Sequence, residues 1–352
     1  MSTESNESKK IDIDAIMMVD IEAQIAAGRA RHEAALAFNR DILLSPEALR
    51  ARDATDGPAR FNFLSLPAWL ALVERAGVPF IRAREIAALE VETFSQAFDG
   101  VEDPRLTEFL EALVAGVAEG EILRMEQCAP DTVKSEMGYG KNLGNGLEID
   151  PSTGKNTPGL WSPRFYDTLM DLGHPFVRGY ARPKAETVCV ASEWEGLEGY
   201  WPVEFRVFVQ DSNVTGVSAY YPQAPLDPDL WLDLAREAGR LADKIVATMA
   251  ELKLGVGNGR LCGDRPQDKA RVDAQPGMEL WGPQDFTMDF LFDAEKEQLV
   301  FLEGGPGGWR QAAPCCFETG PFGEEALYGV KLALDGPVYP LHEAPELRPE
   351  TL

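Results

Sequence analysis

Hydrophobic residues recur at helical spacing through much of the first 120 residues. Apolar side chains three or four positions apart, with charged residues between them, are typical of amphipathic helices. Ser45-Pro46, Leu66-Pro67 and Asp103-Pro104 each place a proline where a helix can begin. We therefore predict helices from these three points and over 82–98, and we assign residues 11–120 to an α-helical N-terminal region.

Beyond residue 121 the pattern changes to short runs in which apolar and polar residues alternate, which indicates strands. The alternation predicts one hairpin over 203–221 and a second over 286–303. Between them, apolar residues at helical spacing predict a long helix from Pro228 to Leu252. The order of hairpin, helix and hairpin indicates an α+β fold.

Glycine and polar residues mark the connections between these elements. Six glycines fall in 138–159, which we expect to be a loop. The predicted organisation is a disordered start over 1–10, the helical region over 11–120, an α+β domain over 121–330 and a C-terminal tail over 331–352.

The charge of the chain narrows the classes of function. Its 352 residues include 58 acidic and 33 basic residues, a formal charge of −25. A surface this acidic repels phosphate backbones and anionic lipids, so we expect neither nucleic-acid nor membrane binding.

Only three histidines are present and the five cysteines form no Cys-x-x-Cys pair, so zinc or histidine-based chemistry is not expected. The polar first residues and the lack of a long apolar run indicate a cytoplasmic protein.

Two carboxylates in the second predicted hairpin are the first candidate site. If the turn is centred on Lys296, Asp289 lies across from Glu303, with the two side chains about 5 Å apart on one face. Two negative charges at this distance destabilise the fold unless a cation or a proton lies between them. Carboxylate oxygens suit Mg²⁺. An offset register with two solvated carboxylates is the alternative.

Basic residues cluster before the first hairpin. Arg178, Arg182 and Lys184 lie within seven residues of one another, as the binding of phosphate groups would require. Further candidate cations upstream are Arg124, Lys134 and Arg164. In the first hairpin, Glu204 and Arg206 share a face, where they either serve the same site or form an ordinary surface ion pair.

The order of these motifs resembles the ATP-grasp superfamily over about 175–310. It is similar to the clade of small members named for two arginines and a lysine, and to the related eukaryotic chaperones of initiation-factor assembly. The motifs in order are Phe176-Val177-Arg178 with Lys184, Glu204-Phe205-Arg206, Met288-Asp289, and Glu303-Gly304-Gly305-Pro306.

This resemblance implies a fold in which two α+β subdomains clasp a nucleotide, here preceded by the helical region. It implies ATP and Mg²⁺ as cofactors, with Asp289 and Glu303 as the metal ligands and Arg206 and Lys184 as the catalytic cations. The implied ATP-binding residues are Arg178, Lys184, Ser192, Glu193, Glu204 and Arg206. Arg124, Lys134 and Arg164 are expected on the acceptor side. The family usually has Asn where this chain has Gly305.

The function that the resemblance implies is an ATP- and Mg²⁺-dependent ligase. Such an enzyme activates a carboxylate as an acyl-phosphate, and an amine then displaces the phosphate. The partners are small-molecule, peptide or protein substrates, with a possible protein partner for the N-terminal helices. A second hypothesis is a nucleotide-binding assembly factor without turnover, and a third is an acidic interaction protein that binds no nucleotide.

Overall fold

The computed structural model describes residues 44–63, 65–90, 93, 103–126, 147–149, 156–158, 176–195, 198–210, 212–256, 286–306, 316–317 and 328–342. The expected disorder over 1–10 and the candidate site residues Lys134 and Arg164 lie outside these ranges.

Helices and strands alternate irregularly along the described chain. The helices are α1 (Pro46–Ala51), α2 (Leu66–Arg75), α3 (Pro104–Ala115) and α4 (Pro228–Glu251). The strands are β1 (Ala59–Phe61), β2 (Arg84–Glu90), β3 (Glu121–Met125), β4 (Leu147–Ile149), β5 (Asn156–Pro158), β6 (Phe176–Pro183), β7 (Cys189–Ala191), β8 (Tyr200–Pro202), β9 (Glu204–Gln210), β10 (Asn213–Ala219), β11 (Leu254–Val256), β12 (Phe286–Asp293), β13 (Gln298–Pro306), β14 (Gly329–Lys331) and β15 (Val338–Tyr339).

Each described helix begins with a capping side chain and a proline in its first turn. The side-chain oxygens of Ser45, Ser65, Asp103 and Asp227 accept hydrogen bonds from backbone N–H groups two or three residues further on. These groups have no partner inside the helix, so the caps stabilise its start. The predicted helices that begin near residues 46, 66, 104 and 228 are confirmed.

A six-stranded sheet contains both predicted hairpins. Its strand order is β13-β12-β9-β10-β14-β15. The pairs β9–β10 and β12–β13 are antiparallel and confirm the hairpins predicted from the alternation. One face packs against α4, and the core there includes Phe205, Val207, Met288, Phe290 and Ile245. The apolar positions of both hairpins therefore form one continuous core with the long helix.

A three-stranded sheet with the order β2-β6-β3 lies beside it, with α3 on one face. The helix expected over 82–98 is wrong over 84–90, because Arg84–Glu90 forms β2 and pairs with β6, whereas Thr93 is helical. The segment is rich in helix-forming alanine, leucine and glutamate, but pairing with β6 overrides this intrinsic preference. Ile86 packs so closely on Gly116, just past α3, that a Cβ there would lie 2.1 Å from an Ile86 methyl.

The two sheets are joined at β13. Arg182, on β6 and almost fully buried, donates hydrogen bonds to the backbone oxygens of Leu302 at 2.9 Å and Ile81 at 3.0 Å. Phe80 forms an isolated bridge with Phe301. Because Arg182 bonds to backbone on both sides, it fixes the position of β6 relative to β13.

The described elements confirm an α+β fold. Strand β2 lies within the region expected to be helical, and β15 lies within the segment expected to be a tail, so both ends of the chain contribute to sheets. In the glycine-rich segment over 138–159, the short strands β4 and β5 pair where a loop was expected. The domain boundaries themselves stay predictions. None of the helices in the described part of the chain combines the length and apolar character needed to cross a membrane.

Candidate functional site

A row of polar side chains crosses the face of the six-stranded sheet that points away from α4. In strand order its members are Glu303, Asp289, Arg206, Ser218 and Lys331, each in register with the next on the neighbouring strand. Residues paired across neighbouring strands share a face, and their chain neighbours point to the other. We call these five residues the polar row.

The pairing of Asp289 with Glu303 confirms the register predicted from the sequence. Nearer the turn the register differs by one residue, because a bulge leaves Leu302 as an extra residue between Phe301 and Glu303. The backbone oxygen of Leu302 accepts the hydrogen bond from Arg182. The bulge thus serves two purposes, since it aligns the two carboxylates and frees an acceptor for the link between the sheets.

Arg206 and Asp289 form a bidentate ion pair. Arg206 Nε and Nη2 donate to the two oxygens of Asp289, each at 2.8 Å, and both side chains are less than 10% exposed. The guanidinium carbon also lies 4.4 Å from the ring centre of Tyr220. Burial lowers the pKa of Arg206, but the charge of Asp289 outweighs it and the pKa lies well above the usual value. The cation beside this carboxylate is therefore a fixed guanidinium.

Glu303 is paired with a second arginine, Arg124 of β3. This ion pair links the polar row to the three-stranded sheet. The electrostatic need for a cation between Asp289 and Glu303 is met by two arginines, so repulsion between the carboxylates does not by itself require a metal. Among the described residues, no group of three or more histidine, cysteine, aspartate or glutamate side chains is arranged to hold a metal ion.

A second set of charged side chains lies on the face of the three-stranded sheet opposite α3. Arg178, Tyr180 and Arg182 alternate along β6 and share this face with Arg124, which pairs with Tyr180. Arg178 contacts Glu126 at 3.3 Å and Glu85 at 3.6 Å. Burial, and then the charge of Glu126, raises the pKa of Tyr180 far above its usual value. The hydroxyl therefore stays neutral beside these carboxylates.

Aromatic side chains border the polar row near the start of β9. Glu204 is buried and accepts a hydrogen bond from the Tyr221 hydroxyl at 3.3 Å. Burial, and then the charge of Glu204, raises the pKa of Tyr221. Trp201 packs on Tyr221 with ring centres 4.9 Å apart. The alternative that Glu204 and Arg206 form a surface ion pair is wrong, because both side chains are buried.

The remaining candidates lie further from the row. Ser192 accepts a hydrogen bond from the Trp194 N–H at 3.2 Å, while the side chain of Glu193 is exposed. Lys184 follows the end of β6, where its N–H donates to the Gly120 oxygen at 2.8 Å and its side chain is exposed. No contact within the described ranges connects Lys184, Ser192 or Glu193 to the polar row.

Sequence reasoning missed four residues of this face: Ser218, Tyr220, Tyr221 and Lys331. The two tyrosines end the first hairpin, and their polar tips next to an apolar strand were a usable signal. Lys331 stands inside the short apolar run 330–334, where a charged residue is uncommon. Its place beside Ser218 depends on the parallel pairing of β14 with β10, which no local pattern predicts.

Comparisons with known proteins give likenesses to solved structures. No family model matches the chain, and no curated protein matches it. Carboxyaminoimidazole ribonucleotide synthase from Aspergillus clavatus, complexed with ATP, is 11% identical with a TM-score of 0.33, and the match covers 70% of this chain and 45% of that one. This chain thus spans less than half the length of that protein.

Two further solved structures are similar over more of the chain. ATP-grasp ligase PsnB, complexed with precursor peptide PsnA2 and AMPPNP, is 14% identical with a TM-score of 0.27, over 84% of this chain and 66% of that one. Cdc123 from Schizosaccharomyces pombe is 10% identical with a TM-score of 0.39, over 77% of this chain and 95% of that one. The chain is thus similar, at low identity, to ATP-grasp ligase PsnB and to Cdc123.

Proposed function

We propose that this protein binds ATP with Mg²⁺ over the polar row and uses it to join a carboxylate to an amine. The observation that carries the proposal is a set of four alternating charges, two of them buried and two partly buried, where the two sheets meet. Arg206 pairs with Asp289, and Arg124 pairs with Glu303. Buried arginines and carboxylates in fixed positions are the groups that stabilise a phosphoryl group in transfer.

The charges of this set determine what it binds. Two arginines and two carboxylates sum to zero, so a divalent cation alone would leave an excess of two positive charges. A triphosphate supplies the missing negative charge, so we expect metal and nucleotide to bind together. Asp289 and Glu303 fit Mg²⁺, which characteristically takes one or two protein carboxylates and completes its shell with water and phosphate oxygens. When bound, it would neutralise charge on those oxygens.

The proposed reaction has two steps. A substrate carboxylate oxygen attacks the γ-phosphorus, the bond to the bridging oxygen breaks, and ADP leaves. An amine nitrogen then attacks the acyl carbon, and inorganic phosphate leaves. Neither step needs a nucleophile from the protein, so the contribution of the chain is positioning and charge stabilisation.

Each candidate residue has a place in this scheme. Arg206 and Lys184 would stabilise the transferring phosphoryl group. Arg178 and Lys184 would contact the other phosphates, Ser192 and Glu193 would lie near the base or ribose, and Glu204 would bind the nucleotide beside Arg206. Arg124, Lys134 and Arg164 would serve the acceptor side. The substrates would be small molecules or peptides.

A nucleotide-binding assembly factor without turnover is the second candidate. Gly305 favours it, because it pairs with Thr287 on β12 and offers no side-chain oxygen where the ATP-grasp family usually has Asn. Loss of one ligand weakens metal positioning more than nucleotide binding. ADP release distinguishes the two functions, since a ligase releases ADP with the correct carboxylate and amine, and an assembly factor does not.

Thermal unfolding of the full chain tests nucleotide binding. A ligand at 100 times its dissociation constant adds about 2.7 kcal/mol of stability. We expect a rise in melting temperature with ATP plus Mg²⁺, a smaller rise with ATP plus a chelator, and none with Mg²⁺ alone. The rise in melting temperature with GTP plus Mg²⁺, compared with that for ATP plus Mg²⁺, tests whether the site distinguishes guanine from adenine.

Variants of the carboxylates test whether a nucleotide-dependent shift in melting temperature arises at the polar row. Glu303→Gln is expected to lose the Mg²⁺-dependent part of the shift while the Arg206–Asp289 pair stays intact. Asp293→Asn is the matched control, because Asp293 is a buried carboxylate of the same hairpin that bonds within its own turn. An unchanged response in Glu303→Gln, or no response of the parent to any nucleotide, would overturn the proposal.

A further inference from the structure

Lys331 ends the polar row on β14. Its neighbours Val330 and Leu332 are buried in the core, so the alternation of the strand places the lysine on the opposite, polar face. There it pairs in register with Ser218 of β10. Lys331 is only 8% exposed, which is uncommon for a lysine without a partner.

The other charges of the polar row are already matched. Asp289 is held by Arg206, and Glu303 is held by Arg124. Within the described part of the chain, no hydrogen bond or ion pair reaches the Lys331 ammonium group. The chain has 58 acidic residues, so the missing partner does not reflect a shortage of carboxylates. Burying a charge without a partner is costly, so the site favours an anion.

The side chains next to Lys331 do not supply this anion. The Ser218 hydroxyl donates to the Ala219 backbone oxygen and accepts from the Cys316 N–H, each at 2.7 Å, and it carries no charge. The next pair on the same face of these two strands is Gly216 with Gly329, which has no side chains. On its other side Lys331 pairs with Val338 of β15, an apolar residue that also lies beside Gly329. None of these neighbours carries a negative charge.

We propose that Lys331 binds an anionic group, carboxylate or phosphate, of a molecule that lies along the polar row. Lys331 is two strands from Arg206, roughly 10 Å between their backbones. A ligand with one anionic group near Arg206 can therefore place a second at Lys331. Assigning this second group to the acceptor substrate rests on the proposed function, whereas the anion site itself does not.

Anion-dependent unfolding of the full chain tests the site without nucleotide. Orthophosphate and succinate are each titrated at constant ionic strength, with sodium chloride as the balancing salt. We expect a saturable rise in melting temperature of the parent with at least one of them, and the stronger of the two identifies the anion class. Lys331→Met should lose at least tenfold in apparent affinity. In chloride alone it should melt higher than the parent, because it removes a buried charge.

Two further variants control for charge and for fold. Lys244→Met removes the same charge from an exposed position of α4 and should respond to the anions like the parent. Lys331→Arg keeps the charge and should retain the response. Three results would each overturn the proposal: no saturable shift in the parent, an unchanged shift in Lys331→Met, or a Lys331→Met protein less stable than the parent in chloride. A parent that binds these anions but no ATP would overturn the proposed function alone.

Discussion

Arg206 of the six-stranded sheet and Arg178 of the three-stranded sheet are held in different ways. In the six-stranded sheet, Arg206 and Asp289 make two hydrogen bonds of 2.8 Å, and the side chains are 7% and 4% exposed. In the three-stranded sheet, Arg178 reaches Glu126 through a single contact of 3.3 Å and is 31% exposed. Arg206 thus has one defined position, whereas Arg178 keeps access to solvent.

The difference follows from where each partner lies. Arg206 and Asp289 are opposite residues of two long, fully paired strands, so the sheet register itself aligns them. Glu126 comes directly after β3, where its N–H donates to the Arg178 backbone oxygen at 2.9 Å, and the pairing of β3 with β6 ends there. The Arg178–Glu126 pair thus lies at the end of a short strand rather than inside two long ones. A pair set by register is suited to a fixed electrostatic site, and a half-exposed arginine is suited to a ligand that arrives from solvent.

Asp289→Asn is expected to have the largest effect on stability. It leaves the Arg206 guanidinium buried without a counter-charge, which typically costs about 3–5 kcal/mol. The measurement is the free energy of unfolding in urea. A loss below about 1 kcal/mol would mean that Arg206 is satisfied by its other contacts, and the two arginines would then be equivalent.

A double variant separates the loss of the pair from the exposure of the charge. Replacing both partners with apolar residues of similar volume, Arg206→Met with Asp289→Leu, removes the buried charges together. Such replacements are often neutral or stabilising. We therefore expect the double variant to recover most of the stability that Asp289→Asn loses.

Two glycines, one in each sheet, allow the packing on the apolar faces of the two sheets to be compared. A Cβ at Gly304 of β13 would lie 2.5 Å from ring atoms of Trp69, and one at Gly179 of β6 would lie 2.1 Å from a Leu113 methyl. Trp69 is a rigid, fully buried ring, whereas the end of the Leu113 side chain can rotate. Overpacking costs about 1–3 kcal/mol, and we expect Gly304→Ala near the upper limit and Gly179→Ala near the lower.

Urea unfolding of the two alanine variants gives this order directly. Gly57→Ala is the control, since a Cβ there has no atom within 4 Å, and its stability should change little. If Gly179→Ala costs more than Gly304→Ala, the packing of α3 on its sheet is the more rigid of the two.

The sequence was most informative where structure is local. The prolines at the starts of α1, α2 and α3 and the alternation of both hairpins predicted those elements, and the turn near Lys296 was enough to pair Asp289 with Glu303. All of these interactions join residues close together in the chain. Local pattern therefore predicted most helices, both hairpins and one pair of site residues.

Interactions between distant segments were not predictable in this way. Arg206 and Asp289 are 83 positions apart, and their pairing depends on β9 lying next to β12. Strand β2 exists through its pairing with β6, which overrides a helix-forming composition. The sequence therefore predicted the carboxylates but assigned their counter-charge to a metal, whereas arginines from other strands provide it in the fold.

Arg178→Met is expected to have the smallest effect on stability. Removing a half-exposed arginine costs about 1 kcal/mol or less, because solvent already screens its guanidinium and the buried Glu126 keeps its hydrogen bond from the Ser65 hydroxyl at 3.3 Å. If Arg178 instead serves the proposed nucleotide site, the same variant lowers ATP affinity several-fold at nearly unchanged stability. Urea unfolding and ATP-dependent melting of one protein sample measure both effects. A loss of stability as large as that of Asp289→Asn would show that the two arginines are held equally firmly.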